Sequence, residues 1–124
     1  MCDRRERGVV AVEFALVLPV VVVLLFGIIE FGRAYNASIT VTHAARETVR
    51  KIALRSPLAE AKQAGIDATA SLPGVPTFPP PTECTAGVTN AVVTMKYAFR
   101  YDIPFFKSNA TIDMSKTATM LCGG

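Results

Sequence analysis

A long apolar run near the N-terminus constrains this chain more than any other feature. Residues 9–29 are 21 residues with one charge, Glu13. A helix of that length is about 30 Å long, which matches the apolar thickness of a bilayer. The run is longer than the apolar region of a secretory signal peptide, about 7 to 15 residues, and no A-x-A cleavage site follows it closely. We therefore expect a retained membrane helix and not a removed export signal.

Arginines in front of the run predict its orientation. Arg4, Arg5 and Arg7 precede it, whereas Arg33 is the first basic residue after it. Basic residues favour the cytoplasmic side, so the N-terminus is expected inside and the C-terminal part outside the membrane. The net charge is +3 and no long basic block follows the leader, which gives little support to nucleic-acid binding.

Three residues in the run or directly after it are unusual for a simple anchor. A carboxylate in a span costs about 3 kcal/mol, so Glu13 predicts a function; the alternative is an interfacial residue that snorkels to water. Pro19 removes the hydrogen bond to the Ala15 carbonyl and predicts a helix kink, although membrane helices also tolerate such kinks without consequence. Glu30 lies at the far end, where we expect water or lipid headgroups to solvate it.

The residues around Glu13 resemble a type IV prepilin processing site. Gly8 follows the basic leader, four residues Val9-Val10-Ala11-Val12 come next, and Glu13 and Phe14 complete the pattern. In that family a prepilin peptidase cuts after the glycine, and glutamate is the fifth mature residue. The strings AVEFALVLPV and FGIIEFGRAY, with Val9 after the junction, resemble more narrowly the TadE-like minor pseudopilins of the Tad/Flp (tight adherence) pilus system.

This resemblance implies a minor pilin-like subunit that is not an enzyme. Residues 1–8, including Cys2, would be a cleaved cytoplasmic leader, and Glu13 and Phe14 would take part in assembly of the pilus through the N-terminal helix. The implied partners are a prepilin peptidase, sibling major and minor pilins, an inner-membrane assembly platform and membrane lipid. A minor role is favoured because major Tad pilins resemble little more than the N-terminal helix. The implied location is the inner membrane, as a single pass, with entry into the surface fibre left open.

The helix is expected to cross the membrane over 9–30 and to continue outside it over 31–55. Residues that step by three or four predict one apolar stripe there, and Glu47 and Lys51 are spaced as an i,i+4 ion pair. The stripe consists of Tyr35, Ile39, Thr42, Ala45, Val49 and Ile52. We expect this stripe to be the spine of a small domain.

Turn and cap residues divide the next part of the chain. Ser56 suits a helix N-cap and Pro57 a first helical position, so a second short helix is expected over 56–72. Five prolines fall within the following segment, 73–84. They predict an extended surface connector, with a proline-rich ligand motif as the alternative.

The last segment, 85–124, predicts an antiparallel β-hairpin. Two runs alternate apolar and polar residues with period two, which indicates strands with one buried face. Their apolar positions are Val93, Met95, Tyr97, Phe99 and Tyr101 in the first run, and Ala110, Ile112, Met114, Ala118, Met120 and Cys122 in the second. A turn at 103–109 joins them, and its Phe105 and Phe106 are expected to cap the core or, alternatively, to contact another subunit. A lone hairpin is marginal in water, so it should pack on the helix stripe or gain a strand.

Together these elements predict an α+β, pilin-like fold with a long N-terminal helix. Cys84 and Cys122 lie in its extracytoplasmic part, where oxidation is possible, so we expect a disulfide between them; the alternative is two buried free thiols. No cofactor or metal is expected, because His43 is the only histidine and has no Cys or acid at ligand spacing. The sequence has no glycine-rich phosphate loop and no visible catalytic triad. A simple signal-anchored binding module and a small membrane-anchored enzyme stay open as alternatives.

Overall fold

The computed structural model describes residues 3–102 and 110–123, with side chains from residue 7 onward. It contains two helices, α1 (Asp3–Ala53) and α2 (Leu58–Ala68), and two strands, β1 (Asn90–Arg100) and β2 (Thr111–Leu121). This order confirms the α+β class with a long first helix, a short second helix and an antiparallel strand pair. The predicted turn and its Phe105 and Phe106 lie outside the described residues.

Helix α1 is continuous over 51 residues and passes through Pro19 without a break. Its apolar half is rich in Val, a weak helix former in water, but a helix is the way a single segment satisfies its backbone groups in lipid. The helix ends where Arg55 adopts a φ of 60°. There the Ser56 amide donates to the Lys51 carbonyl at 3.0 Å and the Arg55 amide to the Ile52 carbonyl at 2.9 Å. These two bonds form a Schellman cap, which turns the chain toward α2.

The sheet is built around β1. Eleven residue pairs join it to β2, from Asn90–Leu121 to Arg100–Thr111. On its other edge, β1 bonds to the proline-rich segment through the bridges Thr77–Lys96 and Thr82–Val92. That segment is thus attached to the edge of the two-stranded sheet by two isolated bridges and is not only a surface connector. No described residue pairs with the outer edge of β2, so a strand from a partner stays a prediction.

Strand β1 runs along α1 in the opposite direction. Its start packs in a cluster with Val49, Ile52 and Ala53 near the end of α1. Its end packs in a second cluster whose helix residues begin at Ala37. Strand β1 therefore runs from the C-terminal end of α1 toward its apolar half, and β2 runs back in the opposite direction.

The buried face of α1 differs from the predicted stripe. Ala45, Val49 and Ile52 are buried as expected, but Tyr35 is 62 % exposed and Ile39 is 52 % exposed. The residues that pack on the sheet are mostly small: Ala37, Val41, Ala44 and Ala45 are all buried. Small helix residues let the large side chains of β1, such as Met95, Tyr97 and Phe99, approach the helix axis. The predicted stripe was wrong at its N-terminal end, at Tyr35 and Ile39, because the prediction assigned the larger apolar residues to the core.

Two further side-chain predictions are corrected. Ile112 and Met120 of β2 were expected inside but are 47 % and 38 % exposed, because only the middle of that face reaches the core, at Met114 and Ala118. Lys51 makes its ion pair with Glu60 of α2, at 3.1 Å, and not with Glu47. The pair joins α1 to α2 across their connection.

Candidate functional site: the exposed half of helix α1

The N-terminal half of α1 lies outside the domain core. Among the described residues there is one candidate membrane span, within Arg7–Ala53, and its most apolar window has no buried residue. Side chains as large as Phe14, which is 64 % exposed, project from it. An exposed apolar surface of this length is unfavourable in water and suits a bilayer or other helices.

The predicted processing junction is part of this exposed helix. Gly8 and Val9 are both exposed and helical. A Cβ added at Gly8 would meet no atom within 4 Å, so packing does not require glycine there. Glycine costs about 1 kcal/mol relative to alanine inside a helix, and Gly8 therefore brings no benefit to the fold itself.

Glu13 and Phe14 border a shallow hollow on the helix surface, together with Val10 and Val17. The four residues have the spacing i, i+3, i+4, i+7, which is the hole that a side chain of a neighbouring helix fills in knobs-into-holes packing. Glu13 thus lies at the rim of a surface that suits another helix. The bend predicted at Pro19 stays a prediction.

The described residues contain no group of three or more His, Cys, Asp or Glu side chains that suits a metal ion. His43, the only histidine of the sequence, is exposed on α1.

Comparison with known proteins gives one match. Residues 8–50 match the family model described as TadE-like protein. The N-terminal segment of this chain is TadE-like. The match begins at Gly8 and ends within α1, and it confirms the resemblance drawn from the residues around Glu13. No curated protein and no solved structure matches the chain.

The match covers 43 of the 124 residues, about a third of the chain. In this chain the TadE-like segment carries the candidate anchor, the glycine junction, Glu13 and the part of α1 that packs on the sheet. The sheet and α2 lie beyond the matched residues.

A polar cluster joins the TadE-like helix to the sheet at the C-terminal end of the candidate span. Glu30 is only 8 % exposed and accepts a hydrogen bond from Arg33. Its Oε2 atom is buried and has no hydrogen-bond partner among the described residues. The Arg33 guanidinium lies over the Phe99 ring, 5.8 Å from its centroid. The prediction of a solvated Glu30 was wrong, since Glu30 is buried and paired with Arg33, and sequence spacing alone contains no signal for this burial.

Tyr97 lies beside this cluster. Its hydroxyl donates to the Pro73 carbonyl at 2.7 Å, which ties the proline-rich segment to β1. Burial raises the pKa of Tyr97 above its usual value near 10, and the nearby Arg33 charge partly opposes this rise. The sequence pattern predicted the burial of Tyr97 but not its hydrogen-bond partner.

The predicted disulfide closes the other end of the domain. Cys84 and Cys122 are bonded, with their Cα atoms 5.7 Å apart. Beside the bridge, the Cys122 amide donates to the Thr89 carbonyl at 2.9 Å and the Gly123 amide to the Ala53 carbonyl at 3.3 Å. The bridge therefore holds the end of the proline-rich segment and the end of β2 against the end of α1.

Proposed function

We propose that this chain is a minor pilin-like subunit of a Tad/Flp-type pilus, cut by a prepilin peptidase after Gly8 and assembled through α1. One observation carries the proposal: the TadE-like match starts at Gly8 and covers the helix whose apolar half the domain leaves uncovered. The chain is held in the inner membrane with its N-terminus in the cytoplasm and its sheet outside. Its partners are the peptidase, sibling pilins, the assembly platform and lipid.

Glu13 has the central role in the assembly step. Cleavage creates an ammonium group at Val9, and four residues of helix separate this group from Glu13 by about 6 Å along the axis. Glu13 accepts the amine of a neighbouring subunit and so sets the axial register of two packed helices. A pair of this kind adds little net stability, but loss of one partner leaves an unpaired charge in an apolar environment.

The cleavage step is tested on the protein purified from its native membrane. Intact mass and N-terminal sequencing should give a chain that begins at Val9 and retains 116 of the 124 residues. Gly8→Val should block the cut, whereas Gly27→Val, at another helical glycine whose added Cβ meets no atom within 4 Å, should leave it unchanged. A native protein that keeps Met1, or one that begins beyond residue 30, contradicts the proposal and favours a simple anchored module.

The assembly step is tested with Glu13→Ala and Glu13→Asp at matched protein levels. Glu13→Ala should leave the domain folded, because Glu13 is exposed in the subunit and its loss makes the span more apolar. It should weaken co-purification of sibling pilins and lower surface pilus yield, at a cost of about 3–5 kcal/mol per contact. Glu13→Asp should be intermediate. Glu47→Ala, which removes a carboxylate from α1 outside the membrane, is the control, and normal assembly of Glu13→Ala would exclude the pairing role.

A further inference from the structure

Helix α1 has a second hollow of the same kind, outside the membrane span. Five residues line it: Ser38 at its edge, and Ile39, Thr42, His43 and Arg46, which again have the spacing i, i+3, i+4, i+7. The two hollows have similar volumes, about 260 Å³ at Glu13 and about 220 Å³ at His43. Both therefore have the form that accepts one side chain from a facing helix.

The two hollows lie on the same side of α1. Corresponding residues, such as Val10 and Ile39, are 29 positions apart. At 3.6 residues per turn this is about eight whole turns, so the hollows point in nearly the same direction about 44 Å apart along the axis. A single straight partner helix is able to contact both.

An exposed apolar seam connects the hollows. It consists of Val17, Val21, Leu24, Ile28, Phe31 and Tyr35, all exposed, at alternating steps of three and four residues. That repeat averages 3.5 residues, which is the period of helices that pack side by side in a left-handed coil. The residues of α1 that contact the sheet, such as Ala37, Val41 and Ala44, lie on the other side of the helix. The part of the domain that the structure describes therefore leaves the seam free over its whole length.

The end of the seam nearest the C-terminus of α1 is positively charged. Arg46 lines the hollow at His43, Arg50 lies one turn further toward the C-terminal end of α1, and both are exposed. The ion pairs described at this end and in the neighbouring parts of α1 are Lys51 with Glu60 and Arg33 with Glu30, and neither includes Arg46 or Arg50. These two arginines are the charges that a helix lying in the seam would meet outside the membrane.

We propose that the seam binds a membrane-anchored helix of a different protein, which runs in the same direction as α1, is apolar up to the level of Ile39 and carries Asp or Glu at the level of Arg46 and Arg50. The inference rests on the proposed function, in which α1 packs against helices of sibling subunits, and it defines which kind of sibling fits. Copies of this chain share one orientation in the membrane. Two identical helices therefore bring Arg46 against Arg46 when they are in register, or Arg46 against Arg50 when one is shifted by the four residues of the Glu13 pairing. Repulsion between like charges at this position disfavours a second copy, whereas a helix with Asp or Glu there replaces the repulsion by attraction.

A charge-exchange experiment on the full-length chain tests this. The wild type and the double variant Arg46→Glu, Arg50→Glu carry donor or acceptor fluorophores at their C-termini and are produced in the inner membrane of a host without pilus proteins. Energy transfer should be stronger for the mixed pair than for either like pair, with an association constant at least about threefold larger, as expected for replacing repulsion by attraction at exposed sites. The double variant is the acidic-helix probe of known sequence.

Two controls locate the effect. Arg100→Glu reverses an exposed charge on β1, away from the seam, and should not strengthen pairing with the wild type. Ile39→Ser should weaken the mixed pair, whereas Ile112→Ser, at an isoleucine of similar exposure on β2, should not. Wild-type chains that associate as strongly as the mixed pair would make a second copy the occupant and overturn the proposal. Absence of energy transfer in every pair would overturn the seam as a docking surface.

The outcome is separable from that of the proposed function. Cleavage after Gly8 and pilus yield decide whether the chain is a pilin-like subunit, and the energy-transfer experiment uses neither. A mixed pair that associates preferentially, in a chain that is never cut, would keep the seam and refute the pilin role.

Discussion

Gly65→Ala is the sharpest test of how α2 packs on α1. Gly65 is buried in α2, and a Cβ added there would overlap Oγ1 of Thr48 on α1. It would also lie 3.0 Å from Cζ of Phe78 and 3.1 Å from Cε of Met95. Phe78 and Met95 present the ends of side chains that can move slightly, but Thr48 is branched at Cβ, and its hydroxyl donates to the Ala44 carbonyl at 2.9 Å. The overlap with Thr48 therefore dominates.

The magnitude follows from two opposing effects. Alanine is better than glycine inside a helix by about 1 kcal/mol. Overpacking of a filled core costs about 1–3 kcal/mol, and an overlap with a constrained side chain belongs at the upper end of that range. Gly65→Ala should thus lower the free energy of unfolding by about 2 kcal/mol. With Thr48→Ala in place the overlap disappears, and the same change should be neutral or stabilising by up to about 1 kcal/mol.

Denaturant unfolding of the full chain in detergent measures both values. Tyrosine fluorescence is a suitable signal because the chain has three tyrosines and no tryptophan. Gly32→Ala is the matched control, since it makes the same change in a helix where the added Cβ meets no atom within 4 Å. If Gly65→Ala stabilises the wild type, or costs the same free energy with and without Thr48, the close contact between α1 and α2 is wrong.

Three further predictions concern the disulfide, Tyr97 and the cluster at the C-terminal end of the candidate span. Replacing Cys84 and Cys122 by Ser opens a bridge with a sequence separation of 38 and should cost about 4 kcal/mol on the chain-entropy model, measured by thermal unfolding with and without reductant. The pKa of Tyr97 is raised in the folded state, so the folded protein holds the phenol proton more tightly than the unfolded chain does. The contribution of Tyr97 to the free energy of unfolding is therefore complete below about pH 10 and is lost as the pH rises above that value. Tyr97→Phe should therefore flatten the loss of stability above about pH 10. Arg33→Ala should destabilise by about 1–3 kcal/mol and more than Glu30→Gln, because it leaves a buried carboxylate without a cation; an equal effect of the two variants in denaturant unfolding would show that the pair is not buried as a unit.

Local patterns predicted the elements of this chain well. The alternation from Val93 to Phe99 predicted a strand with one buried face, and all four of its odd positions are buried. The compartment and the number of cysteines left after processing predicted the Cys84–Cys122 bridge. Patterns of this kind depend on the geometry of one element, so they can be recognised from the sequence.

Contacts between elements were predicted less well. The proline-rich segment pairs with β1 at Thr77 and Thr82, although prolines predicted a connector that remains outside the sheet. The prolines between these two threonines have no backbone N–H, but each threonine has one and uses it toward β1. Phe78, half-buried between them, packs against both core clusters, a role that no sequence period indicated.

The sequence by itself determined that the chain has an apolar helix long enough for a bilayer, with an N-terminal basic leader, a glycine junction and one carboxylate five residues after it. Length, composition and spacing along one chain are sufficient for this, because a membrane helix forms the hydrogen bonds of its backbone groups within itself. Only the tertiary structure decided which side of α1 is covered. Periodicity shows that a helix has an apolar side, but the side that is buried depends on the facing surface: the large residues of β1 pack on Ala37, Ala44 and Ala45, and this leaves Tyr35 and Ile39 exposed.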